Sequence, residues 1–173
     1  MKELLKLARE TIKAYLTGEV YEADPTLIEE FGEAGASFVT LTLDGELRGC
    51  VGSLSARQPL YTDVAENAMN AAFHDTRFGP VVLDELDNIK IEVSVLSSPE
   101  KLGKGEEVFD KIESDMGLIL KRGFKSATFL PQVWKQIPDK TEFLEHLSVK
   151  AGLGQSDWKG ADLEFYKVES VEE

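Results

Sequence analysis

Two short runs of the chain hold the residue types on which catalysis and ligand binding draw. In the first, Leu47-Arg48-Gly49-Cys50-Val51-Gly52, the only cysteine of the 173 residues stands between glycines. Those glycines remove side chains and admit a close backbone approach, by a ligand or by a packed neighbour. Arg48 lies two positions before Cys50 and so shares its face of an extended strand, where a positive charge favours thiolate over thiol. The run fits a thiol nucleophile beside an anion-stabilising arginine; it also fits a small buried cysteine among packing glycines. The second run is His74-Asp75-Thr76-Arg77. Here His74 is the candidate base for Cys50, oriented by a carboxylate. The same residues also describe a helix exit at which His and Arg meet the dipole and Asp75 pairs with Arg77. The candidate catalytic residues are therefore Cys50, Arg48, His74 and Asp75, and the candidate ligand-binding residues Thr40, Gly49, Gly52 and Arg77.

The rest of the chain offers little else. His146 lies among Glu142, Glu145 and Lys150 and reads as part of a solvated helix face. There is no phosphate-binding loop, no dinucleotide fingerprint, no HExxH and no GxSxG. A single cysteine forms no internal disulfide and cannot hold an iron–sulfur cluster, and with two histidines it barely allows a zinc site. No cofactor and no metal are expected.

Regular elements must position the two runs. Leu4, Ala8, Ile12 and Leu16 recur every fourth residue before Gly18, which predicts an opening helix with a glycine stop. Residues 37–43 alternate as a strand, and Asp44-Gly45 signals a hairpin back into the Cys50 run. A three-residue loop, Leu43-Asp44-Gly45, would pair Leu41 with Leu47 and Val39 with Gly49, keeping Val39, Leu41, Leu47 and Val51 on one face. Thr40, Arg48 and Cys50 then share the other. Pro59 stands where a first helical residue would, ahead of Val64, Ala65, Ala68, Ala71 and Ala72 at helical spacing. A helix from Leu60 to His74 spans about 22 Å and could return His74 and Asp75 to the face of Arg48 and Cys50, in one cleft. Ile89, Ile91, Val93 and Val95 form a half-buried strand. Further on come a short helix near 106–112, strands at 117–121 and 127–130, a helix opened by Asp139 and Glu142, and a strand at 163–168. Hairpins interspersed with helices predict an α+β fold, a mostly antiparallel sheet with packed helices.

Composition sets the class. With 42% hydrophobic residues the chain can bury a core, and its length suits one domain or two small subdomains. A net charge of −13 opposes nucleic-acid binding, and the basic trio Lys121, Arg122 and Lys125 reads as a hairpin tip. No apolar run nears the roughly 20 residues of a membrane span, so no membrane contact and a cytoplasmic, reducing location are expected.

The runs FVTLTLDGELRGCVGSL, PLYTDVAENAMNAAFHDTRFGPV, IKIEVSVLSSPEKL, ATFLPQVW and LSVKAGL together resemble the AMMECR family, from about residue 36 onward, and the opening helix fits as well. The specific part is LRGC-[IV]-G followed by D-x-RF. Val51 stands where isoleucine is commoner and Thr76 where proline is frequent, both conservative departures. The resemblance implies one such domain over residues 1–173, with a larger subdomain around 37–96, a smaller one at roughly 100–160 and the signature strand near a cleft between them. Relatives occur fused to or encoded beside Memo-type proteins and beside radical-SAM enzymes, which implies a partner of one of those kinds in a redox or modification pathway. Two readings follow: an enzyme with Cys50 as nucleophile or redox thiol, Arg48 stabilising an anion and His74 or Asp75 as base, or a binding module presenting the same surface to a protein or small ligand.

Overall fold

In a computed structural model describing residues 1–173, the chain divides into two compact units, Met1–Leu96 with Glu169–Glu173, and Ser97–Val168. The fold is α+β, with one antiparallel-built sheet in each unit.

The first unit opens with α1 (Lys2–Thr17), whose Leu4, Ala8 and Ile12 are at most 1% exposed. Gly18 ends it at a φ of 74°, a left-handed stop that glycine adopts without Cβ strain. A short α2 (Pro25–Glu30) leads to β1 (Ala34–Leu43), β2 (Glu46–Gly52) and the two-residue β3 (Gln58–Pro59). Next come α3 (Leu60–Phe73) and β4 (Ile89–Leu96). Pro59 caps α3 from outside and does not start it, because it is committed to pairing with Ala34. The strand order is β2-β1-β4, completed by the C-terminal β9 (Val168–Glu172). Val39 opposes Val93 and Leu41 opposes Ile91, all fully buried beneath α1 and α3, while Thr40 and Glu92 share the other face. Small residues let α3 lie close: a Cβ on Gly49 would stand 2.1 Å from the Ala71 carbonyl oxygen.

The β1–β2 hairpin departs from the expected register. Its loop holds two residues, Asp44 at φ 53° and Gly45 at φ 84°, the doubly left-handed turn that matches strand twist. Leu43 pairs with Glu46 and Thr42 with Leu47; a bulge then takes up one residue, and Leu41 faces Gly49, Thr40 faces Cys50 and Val39 faces Val51. The bulge achieves what a longer loop was expected to do for Cys50 and Val51. Leu47, expected inside, is 43% exposed.

The second unit carries the sheet β5-β8-β6-β7, built from β5 (Glu100–Lys104), β6 (Gly117–Arg122), β7 (Lys125–Phe129) and β8 (Asp162–Tyr166). Its helices are a single turn, α4 (Gly105–Val108), and α5 (Lys140–Lys150), which Asp139 caps by accepting the Glu142 N–H at 2.9 Å. Leu118, Leu120, Phe143, Leu144, Leu147 and Leu163 form the core. Trp134 stacks on Phe143 at 3.7 Å and donates its indole N–H to the Met116 carbonyl at 2.8 Å. No helix of either unit is long and apolar enough to cross a membrane.

Candidate functional site

Strand β2 is an edge strand, so one side of its backbone lacks a neighbouring strand. At Cys50 the turn after α3 fills that place. The Cys50 N–H donates to Asp75 Oδ2 at 2.9 Å, and Arg77 Nη2 donates to the Cys50 carbonyl at 3.1 Å. An acceptor and a donor thus pair with Cys50 as a further strand would. Since both backbone groups of Cys50 face outward, Thr40 and Cys50 form a non-hydrogen-bonded cross-strand pair, the kind whose side chains lie closest. The Thr40 hydroxyl lies 3.3 Å from the thiol.

Asp75 is the centre of this arrangement. Its side chain is 6% exposed and accepts four hydrogen bonds: one from the Cys50 N–H, and from Arg77 the main-chain N–H at 3.1 Å, Nε at 2.9 Å and Nη2 at 2.6 Å. The Arg77 side chain foremost, then the two amides, overcome burial and hold the carboxyl well below the usual carboxylate range. The same pairing pushes the Arg77 guanidinium up. Asp75 is accordingly a fixed anion at neutral pH. Arg77 remains 54% exposed and lies over the Phe78 ring at 5.4 Å.

Arg48 takes a different direction. From the bulge it forms a forked pair with Glu85, Nε to Oε1 at 2.9 Å and Nη2 to Oε2 at 3.0 Å, and donates to the carbonyls of Gly79 at 2.9 Å and Pro80 at 3.2 Å. Glu85, lowered first by Arg48, also accepts the Val82 N–H at 2.9 Å. Arg48 therefore staples β2 to the segment 79–85, and its donors are used there. His74 closes α3 with its main-chain N–H on the Asn70 carbonyl at 2.9 Å, while its imidazole is exposed and makes no hydrogen bond. The close approaches at the two glycines are made by packed neighbours: the Ala71 backbone at Gly49 and the Phe38 ring, 2.2 Å from a built Cβ, at Gly52. Thr40 also lines a shallow cavity of about 120 Å³ with Thr42, Lys90, Glu92, Glu172 and Glu173. The structure brings together Cys50, Thr40, Asp75 and Arg77; it engages Arg48 elsewhere and gives His74 no partner.

A second polar centre, outside both runs singled out in the sequence, lies in the first turn of α3. Asp63, 3% exposed, accepts through Oδ2 from the Ser37 N–H at 2.8 Å, the Ser37 hydroxyl at 2.7 Å and Asn67 Nδ2 at 2.9 Å. Through Oδ1 it accepts from the Ser53 hydroxyl at 2.6 Å. Its signal was present: Asp63 and Asn67, four residues apart, interrupt the stripe of Leu60, Val64, Ala68 and Ala71 that a sheet-packed helix needs to be apolar. No group of three His, Cys, Asp or Glu side chains is placed to hold a metal ion.

Comparison with known proteins agrees over nearly the whole chain. The sequence pattern of the AMMECR1 family matches residues 5–171. A protein of Methanosarcina barkeri is 40% identical, covering 98% of this chain and 88% of its own, and Protein MJ0810 of Methanocaldococcus jannaschii is 39% identical over 96% and 85%. The crystal structure of uncharacterized protein PH0010 from Pyrococcus horikoshii superposes with a TM-score of 0.82 at 37% identity, covering 98% of this chain and 89% of that one.

Proposed function

Because this chain belongs to the AMMECR1 family, we propose that its signature strand serves a non-catalytic binding module, with the Thr40, Cys50, Asp75 and Arg77 edge presented to a protein or small ligand. One observation carries this reading. The thiol's hydrogen-bond partner is a threonine hydroxyl, and the carboxylate that could have served as a base is held as an anion by Arg77 and by the Cys50 amide. A nucleophilic thiol needs a base within reach, and a carboxylate so held is a poor proton acceptor near neutrality. What the edge offers instead is a half-exposed guanidinium backed by a phenyl ring, a group suited to a carboxylate or phosphate. The ligand class proposed is therefore anionic, and a Memo-type or radical-SAM protein in a cytoplasmic redox or modification pathway is the proposed partner.

The alternative, Cys50 as a reactive redox thiol, draws support from its partial exposure and its status as the only cysteine. Titration calorimetry with a purified Memo-type protein separates the two. Arg77→Ala should lose binding while Cys50→Ser keeps it; the reverse result would establish the thiol as the working group. Thermal melts of both variants show whether the edge still folds.

A further inference from the structure

The first unit carries eight basic and twenty acidic side chains, a net of −12, whereas the second carries eleven and twelve, a net of −1. Within the second unit three of the eleven basic residues, Lys121, Arg122 and Lys125, flank the tip of the β6–β7 hairpin in sequence. The β6–β7 hairpin turns through Gly123, at φ 62°, and Phe124, whose side chain is fully exposed while the next most exposed aromatic, Tyr15, is at 58%. Lys121 is paired with Glu164 at 2.7 Å and Arg122 with Asp157 at 2.6 Å, whereas Lys125 has no ion-pair partner and donates to the Gly152 carbonyl, and Lys150 donates to the Thr128 carbonyl at 3.0 Å and lies over the Phe129 ring at 4.9 Å. The hairpin tip is thus an apolar knob beside one lysine without a carboxylate partner, in a place where the fold itself makes no use of the ring.

The complementary feature lies on the first unit. Between α1 and α3 runs an apolar groove of about 460 Å³, lined by Leu7, Tyr15, Val20, Tyr21, Tyr61 and Met69, with Val20 88% exposed. Its only charged lining residue is Glu19, and Glu10 and Asp24 lie near enough that, after burial, their charges push the Tyr21 hydroxyl up. We infer that the Phe124 hairpin of one copy docks into the α1–α3 groove of a second copy. The phenyl enters the tyrosine-lined groove, and Lys125, which has no ion-pair partner in its own chain, meets the carboxylates on its margin. The contact is head-to-tail, since knob and groove are different surfaces, and it is independent of the binding role proposed for the β2 edge. A small contact of this kind is weak, so association belongs at high protein concentration and low salt.

Sedimentation equilibrium of the whole chain, from micromolar to millimolar concentration, tests it. The average mass should rise with concentration at low salt and fall back when salt is added. Phe124→Ser and Val20→Glu change exposed side chains, so both variants should fold, as circular dichroism would verify, and each alone should stay monomeric. Mixing the two in equal amounts should restore association, because one keeps the groove and the other keeps the knob. A wild-type chain that stays monomeric throughout would overturn the inference. So would variants that associate like wild type, or a mixture that remains monomeric.

Discussion

Helix α3 has a buried carboxylate at each end, and the two are satisfied in opposite ways. Asp63, in the first turn, is held by neutral donors alone: a main-chain N–H, two serine hydroxyls, an asparagine amide and, at 3.5 Å, the Gln58 amide. Asp75, just past the last turn, needs an arginine. The helix accounts for the difference. Its N-terminal end carries partial positive charge and favours an anion, whereas its C-terminal end carries partial negative charge and opposes one. A carboxylate at the first end is stable among neutral groups; at the second it requires a cation. The lesson is that a conspicuous Asp–Arg pair beside a cysteine can be an electrostatic necessity of where the helix stops.

The contrast can be broken most forcefully at its quieter end. Asp63→Ala removes the acceptor of the Ser37 N–H and of the Ser37 and Ser53 hydroxyls in a buried site, and should cost on the order of 3 kcal/mol in urea unfolding, as buried donors left without a partner do. A smaller loss, roughly 2 kcal/mol, is expected for Asp75→Asn, which leaves Arg77 without its carboxylate partner. The pH dependence sharpens this case. The folded carboxyl of Asp75 lies below its unfolded value near 3.9, so its stabilisation is complete above that pH and drains away as acid is added. Melting curves between neutrality and strong acid should therefore fall less steeply for Asp75→Asn than for wild type. Arg48→Ala should cost about 1 kcal/mol and speed amide exchange at Val82, whose N–H rests on the Glu85 carboxylate that Arg48 orients. Smallest of all, Cys50→Ser should shift stability by less than about 1 kcal/mol, since a hydroxyl can keep the contact with Thr40.

Much of this was legible in the sequence because it is periodic. The apolar spacing of α1, the alanines of α3 and the alternation of β4 each announce an element and its buried face, and FVTLTLDGELRGCVG with HDTRF announces the family. The hairpin register was not legible, because a bulge at Arg48 and a longer loop place Cys50 opposite the same face and differ only in the fate of Leu47. The residue cluster at 74–77 was also visible, but not its partner. Asp75 and Arg77 bind the backbone of Cys50, and backbone groups leave no mark in a sequence. Arg48 looked free to meet a thiolate since nothing local marked Glu85, thirty-seven residues away, as its counter-charge. The closest donors to Asp63 are silent in the sequence for a related reason: they come from β1, from Ser53 just after β2 and from α3, which only the folded chain assembles.

If the β2 edge is the non-catalytic surface proposed above, Cys50 has no base to activate it. Its alkylation rate by iodoacetamide at neutral pH, in the native protein and in the same chain unfolded in urea, tests that directly. The native rate should be no faster than the unfolded one and unchanged by His74→Ala. A native rate well above the unfolded rate, lost on replacing His74 or Arg48, would contradict it and return Cys50 to the role of nucleophile.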